Sequence, residues 1–313
     1  MTASETADPG PDVPPPADLR RILGAVVVPR DVVRVTGPEA IGYLHGQLSQ
    51  DVEGLAVGAT AWSFVLQPAG KVDAWVRLTR TADDELLLDV DGGFGDGLVT
   101  RLRRFLLRTK ADIETLDWAC VALRGPGAGD ASAAAGGPAT VAVQAGWPHA
   151  DGVDLLGPQV EPPAGVSVLD RDAYEALRIR CGVPSLGAEL SERTIPAEAG
   201  QWIVDASVSF TKGCFTGQEL VARIDSRGGN VPRRLRGLVV ARGEPLPGDA
   251  PVRDAPVTVE GKEVGRVTSA ARSPAGGYVA LAYLARAVEP PAAVEIRAGD
   301  REVPATAVDL PME

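Results

Sequence analysis

The pattern of this chain changes near residue 233, and that change limits the fold more than anything else in the sequence. From Leu235 onward there are only short apolar runs broken by turns: "LRGLVV", "APVTVEGKEVGRVTSAA", "GYVALAYL" and "AVEIRAGDREVPATAV". No helix of ordinary length fits among them. This part reads as a separate small β-barrel or sandwich, with a boundary near "RGGNVPRR". The preceding residues mix strand and helix periods. With 313 residues, the chain has room for about two or three domains. Its 36 glycines and 26 prolines imply many turns between short elements.

Before the boundary, "AVVVPRDVVRVTG" reads as strands on either side of Pro29. "TGPEAIGYLHGQLSQDV" reads as a helix, with Thr36 and Glu39 at capping-box spacing. "ATAWSFVLQPAGKVDAWVRLTRT" reads as a hairpin turning at "PAGK", and "ELLLDVDGGF" as a further strand. "DGLVTRLRRFLLRTKADI" predicts a helix with Leu98, Leu102, Phe105 and Leu106 inward and Arg101, Arg104 and Arg108 outward. "WACVALRGPG" is a strand, and the Gly/Ala-rich "GPGAGDASAAAGGPA" reads as a surface loop. "DRDAYEALRIRCGVPSLG" predicts a helix opened by Asp170 or Asp172 and closed by Gly182 and Pro184. Tyr174, Leu177 and Cys181 share one of its faces.

The net charge of −11 repels nucleic acid and anionic membranes on average. Two basic stretches stand out, Arg101 to Lys110 and Arg223 to Arg236, but aromatic residues that would stack bases do not interleave with them. No direct nucleic-acid partner is expected. Apolar runs of about 20 residues are missing too, so no transmembrane helix is expected. The N-terminus has neither a basic nor an apolar signal region, and residues 1–18, rich in proline and acid, read as a disordered tail. Cys120, Cys181 and Cys214 are widely spaced and odd in number, which fits free thiols in a reducing cytoplasm. No cluster has the spacing of a zinc or iron–sulfur site, so no metal of its own is expected.

The stretch "TKGCFTGQELVARID", residues 211–225, holds the candidate chemistry. It predicts a helix capped by Thr216 with Glu219 completing a capping box. Cys214 would then stand just outside a helix N-terminus, where partial positive charge favours a thiolate. In an extended backbone Lys212 would share its face. A lysine charge about 6 Å away is worth at most roughly 3 kcal/mol at an effective dielectric near 20, which bounds the fall in thiol pKa at about two units. The alternative is a small buried cysteine beside a solvated lysine, which is the commoner use of each residue type. Packing is the stronger reading for Cys120 and Cys181.

"KGCFTGQE", residues 212–219, resembles the K-G-C-[YF]-x-G-Q-E motif of the YgfZ family, folate-binding proteins related to the glycine-cleavage T-protein. "LRIRCGVPSLGAEL", "IPAEAG", "GRVTSAA", "YLHGQLSQDV" and "LQPAGKVDAW" agree with it, and the resemblance runs from about Val26 to the C-terminus. It implies an α+β fold: a three-domain cloverleaf of the T-protein type around a central channel, with a C-terminal β-barrel. The expected division is a discontinuous first domain over residues 19–66 and 165–232, an inserted α+β domain over 67–164, and the barrel over 233–313.

The resemblance also implies a ligand, tetrahydrofolate or a one-carbon derivative, and a role in assembly or repair of iron–sulfur proteins, with an indirect effect on tRNA modification. Folate and iron–sulfur client proteins or assembly factors are thus the expected partners of a cytoplasmic monomer. Lys212 and Cys214 take the family motif's functional lysine and cysteine. Tyr174 falls where the family has a pterin-contacting aromatic, though a core aromatic on the inner helix face is equally expected. Arg180 stands where the T-protein has a pterin-binding glutamate. Counting along from Asp89 puts Asp96 at the T-protein's catalytic aspartate, and Asp96 would serve equally as a helix N-cap. Arg227 is a candidate for the carboxylate tail of a folate. Losing the glutamate favours an accessory protein, with a folate-dependent one-carbon transferase of the aminomethyltransferase type as the alternative.

Overall fold

The structure is a computed structural model that describes residues 15–135, 137, 139–241 and 253–312. Most of the expected tail, residues 1–14, lies outside the described residues. Asp18 at its end is described and accepts a hydrogen bond from Arg180 Nη1 at 2.9 Å.

The elements before the barrel are β1 (Gly24–Val27), β2 (Arg30–Thr36), α1 (Ala40–Gln47), β3 (Thr60–Leu66), β4 (Val72–Ala82), β5 (Glu85–Asp91), α2 (Gly95–Arg103) and β6 (Asp112–Leu116). Then come β7 (Ala119–Arg124), α3 (Ala128–Ala134), β8 (Val141–Gln144), β9 (Gly152–Gly157), α4 (Arg171–Arg180), α5 (Gln201–Ser207) and α6 (Gln218–Asp225). One antiparallel sheet has the order β3-β4-β5-β2-β6, and a second has the order β1-β7-β9-β8. The boundary expected at residues 66/67 falls in the turn between β3 and β4, which pair as one ladder.

The two sheets share an apolar core. Trp62 of β3 stacks on Trp75 of β4 at 3.9 Å and donates its ring N–H to the Ala145 carbonyl at 3.1 Å, reaching from the first sheet to the end of β8. After α6 the helical period ends. Strands β10 (Arg233–Val240), β11 (Pro256–Val259), β12 (Lys262–Arg272), β13 (Tyr278–Ala285), β14 (Ala292–Ala298) and β15 (Arg301–Val308) close into a barrel in the order β10-β13-β12-β11-β14-β15. The fold is α+β with a closed C-terminal barrel.

Three local expectations are corrected. The Gly/Ala stretch contains the helix α3, which buries Ala128 and Ser132. Alanine has the highest helix propensity, and a narrow small-residue face suffices to dock this helix against a sheet. Helix α2 stops at Arg103, with Phe105 exposed and Arg101 buried. Burial of Arg101 is tolerated because its donors are engaged by Asp73 at 3.0 Å, the Leu66 carbonyl at 3.0 Å and Gln47 at 3.2 Å. At α1, Thr36 belongs to β2, and Glu39 accepts the Lys110 backbone N–H at 2.6 Å instead of capping the helix.

Candidate functional site

Between the two sheets lies a buried row of charges. Arg77 of β4 stands opposite Asp89 of β5 in the ladder and grips it with two bonds, at 2.9 and 3.0 Å. Arg30 of β2 stands opposite Asp91, bonding it at 2.6 Å and Asp89 at 2.6 Å. Asp154 of β9 takes Arg77 on one oxygen at 2.6 Å and Arg124 of β7 on the other at 2.7 Å. Burying a charge costs several kcal/mol unless it is paired and hydrogen-bonded, and here every carboxylate has such partners. Burial opposes ionisation of Asp154, but Arg124 and Arg77 outweigh it and hold its pKa below the carboxylate range. Burial likewise opposes the charge of Arg77, and Asp89 and Asp154 overcome that too. Gly152 makes room for the row, since a Cβ there would stand 2.8 Å from Arg124 Cδ.

Above the row opens a cleft of about 190 Å³. Trp62, Trp75, Trp147 and Tyr174 wall it, with Arg30, Asp91, Arg124, Asp154 and the α4 residues Glu175 and Arg178. Tyr174 lies 5.1 Å from Trp147, ring to ring, and the Arg124 guanidinium lies 4.3 Å from the Trp147 ring. Only 9% of Tyr174 is exposed, and burial pushes its phenol pKa up. The Nε of Arg124 is buried with no hydrogen-bond partner among the described residues. Its walls offer aromatic edges and polar groups to a small ring. A wider cleft of about 940 Å³ adjoins it and shares Phe94 and Leu186 as walls.

The expected site residues divide. Tyr174 lines the smaller cleft. Asp96 is exposed in the first turn of α2 and lines the wider one; Asp31 accepts the Gly93 and Gly95 backbone N–H groups there, so Asp96 is not the cap. Arg180 lies outside both clefts, held by Asp18. Arg227 is exposed beyond the end of α6 and lines neither.

The motif stretch is not extended: residues 210–212 bend. The Lys212 ammonium is held by the carbonyls of His45, Leu48 (2.8 Å) and Gln50 (3.0 Å), at and beyond the C-terminal end of α1. Half-burial pulls its pKa down to about 8, against Asp51 and Glu53, which pull it up. Cys214 is exposed, while Cys120 and Cys181 are buried. Helix α6 starts at Gln218 after Gly217, not at a Thr216 cap. Gly217 takes φ 83°, and a Cβ on it would come within 2.5 Å of the Gln67 carbonyl. The motif therefore packs against the β3–β4 turn, whose residues Gln67, Pro68 and Ala69 line the wider cleft.

The charged row and the tryptophans are not among the residues that the sequence motifs point to. The signal for the row was there: Arg77 in "AWVRLTR" and Asp89 in "LLLDVD" interrupt apolar strand runs, and a charge in such a place must find a partner. Three of the chain's 5 tryptophans meet at one cleft, yet nothing local in the sequence brings them together.

Residues 233–312 match the model of the glycine cleavage T-protein C-terminal barrel domain. An aminomethyltransferase of Rubrobacter xylanophilus is 32% identical, over 89% of this chain and 80% of its own length. The tRNA-modifying protein YgfZ of Photobacterium profundum is 26% identical, over 70% of each chain. The crystal structure of the glycine cleavage system aminomethyltransferase T from Bartonella henselae superposes with a TM-score of 0.78 at 21% identity, over 94% of this chain and 87% of that one.

Proposed function

Because the chain belongs to the family of the glycine-cleavage T-protein and its YgfZ-type relatives, we propose that it binds tetrahydrofolate or a one-carbon derivative in the smaller cleft, and serves as an accessory protein for assembly or repair of iron–sulfur enzymes. One observation carries the ligand: an aromatic-walled cleft over a row of paired charges, with Tyr174 and Trp147 both in its wall. The residues fit a tetrahydropterin, whose pyrimidine half is planar and carries both donors and acceptors on its edge.

The accessory role is favoured over transfer by the position of the expected acid. General acid–base help must come from a group within hydrogen-bond reach of the reacting atom. Asp96 lies on the wider cleft, and Arg180, which the resemblance sets at the position of the family glutamate, is held by Asp18. The relative named a tRNA-modifying protein supports a link to tRNA modification, which the proposed role would make through iron–sulfur enzymes. The aminomethyltransferase at 32% identity favours a second reading, folate-dependent one-carbon transfer.

The test pairs two assays. Titration calorimetry with tetrahydrofolate should detect binding, and incubation with an aminomethyl donor should give no methylene transfer. Turnover in the second assay would establish the transferase reading. For the cellular role, cells lacking the protein should lose activity of an iron–sulfur tRNA-modifying enzyme. The wild-type gene should restore that activity and Cys214→Ser should not.

A further inference from the structure

The acceptors around the smaller cleft are nearly all spent, although one buried donor, Arg124 Nε, has no partner among the described residues. Asp154 gives one oxygen to Arg124 and the other to Arg77. Asp91 gives one to Arg30 and the other to the Leu186 backbone N–H at 2.9 Å. Trp62 and Trp75 donate to the Ala145 carbonyl and to Ser207 Oγ. Glu175 differs. Arg178 Nε holds its Oε2 at 2.8 Å. Among the described residues its Oε1 has only Arg171 Nη2, at 3.8 Å, which is beyond hydrogen-bond range and on a side chain 57% exposed. The Glu175 side chain is itself 29% exposed, in the same wall as Tyr174.

We infer that Glu175 Oε1 is the acceptor that reads the ring in the cleft, taking an N–H of the 2-amino group and so selecting a 2-amino-4-oxo ring over its 2-oxo counterpart. The assignment rests on the folate reading above. A carboxylate paired with an arginine only accepts, so it must be met by a donor. An oxo group at position 2 would set acceptor against acceptor, which costs affinity and selects against that ring.

The assignment makes a sharp claim about Glu175→Gln. Arg178 Nε donates, so the glutamine must turn its carbonyl oxygen to Arg178 and its NH₂ to the cleft. The reading group then becomes a donor and the preference should weaken or invert. Calorimetry would use tetrahydrofolate and its 2-oxo analogue on both proteins. Wild type should favour the 2-amino ligand by roughly 10- to 100-fold, the range for a hydrogen bond to a charged group. Glu175→Gln should bind the two about equally or prefer the 2-oxo analogue. The same preference in both proteins, or no preference in wild type, overturns the assignment; the wild-type ratio tests it even where the variant does not fold. If wild type binds neither ligand, the folate reading itself fails.

Discussion

At the scale of single residues, Asp154 ties the two sheets together electrically, since its partners Arg77 and Arg124 come from different sheets. Replacing it with asparagine leaves two buried guanidiniums short of a carboxylate and should cost about 3–5 kcal/mol at neutral pH, measured by urea unfolding. The pH dependence follows from linkage. Asp154 has a folded pKa held below its ordinary 3.8, so its contribution is complete above that value and is lost as pH falls toward the folded pKa. Wild-type stability should therefore fall below pH ~4, and Asp154→Asn should show a shallower acid limb. The cysteines give a second residue-level prediction. Burial raises the thiol pKa of Cys120 and Cys181, whereas Cys214 is exposed. The thiolate is the reactive form, so iodoacetamide under native conditions should label Cys214 well before the other two, read by peptide mass mapping. Equal slow labelling of all three would make Cys214 a packing residue.

Among the elements, α6 and the segment before it form a clasp. Lys212 binds the end of α1 and Gly217 presses on the β3–β4 turn, so the motif joins three elements that are distant in sequence. Lys212→Ala should lower stability by about 1–3 kcal/mol, because carbonyls at a half-buried helix end lose their donor. Gly217→Ala should cost about 2 kcal/mol or more, from the left-handed backbone alone and before the clash with Gln67 is counted. Thermal melts read both; an unchanged midpoint for Gly217→Ala would deny the close approach. Most of the elements could be read from the sequence. Pro29 marked the break between β1 and β2, "PAGK" marked the turn, and Asp170 does cap α4, accepting the Ala173 backbone N–H at 3.2 Å. The failures share a cause. Thr216 looked like a cap because local spacing cannot register the Gln67 carbonyl waiting at Gly217. Arg101 looked solvated because its acceptors come from α1, β3 and β4.

In the whole molecule, α4 links the smaller cleft and the barrel. Tyr174, Glu175 and Arg178 line the cleft, and Arg178 Nη2 also reaches Ser269 of β12 at 2.9 Å. Glu189 completes the joint, accepting from Arg178 at 3.2 Å and from Ser269 at 2.6 Å while its carbonyl takes the Tyr283 hydroxyl at 3.0 Å. The barrel was legible in advance because the helical period disappears over a long stretch. The cleft was not, because its tryptophans and charges lie far apart in sequence and meet only once the two sheets face each other. Tyr174 is the one expected site residue that lines the smaller cleft, and it carries the central claim. The most direct measurement is calorimetry of tetrahydrofolate with wild type and with a folded Tyr174→Ala variant. Loss of a stacked ring should weaken binding by about 1–3 kcal/mol, taking base–aromatic stacking as the guide. Unchanged affinity in the folded variant, or no binding to wild type, would contradict the account.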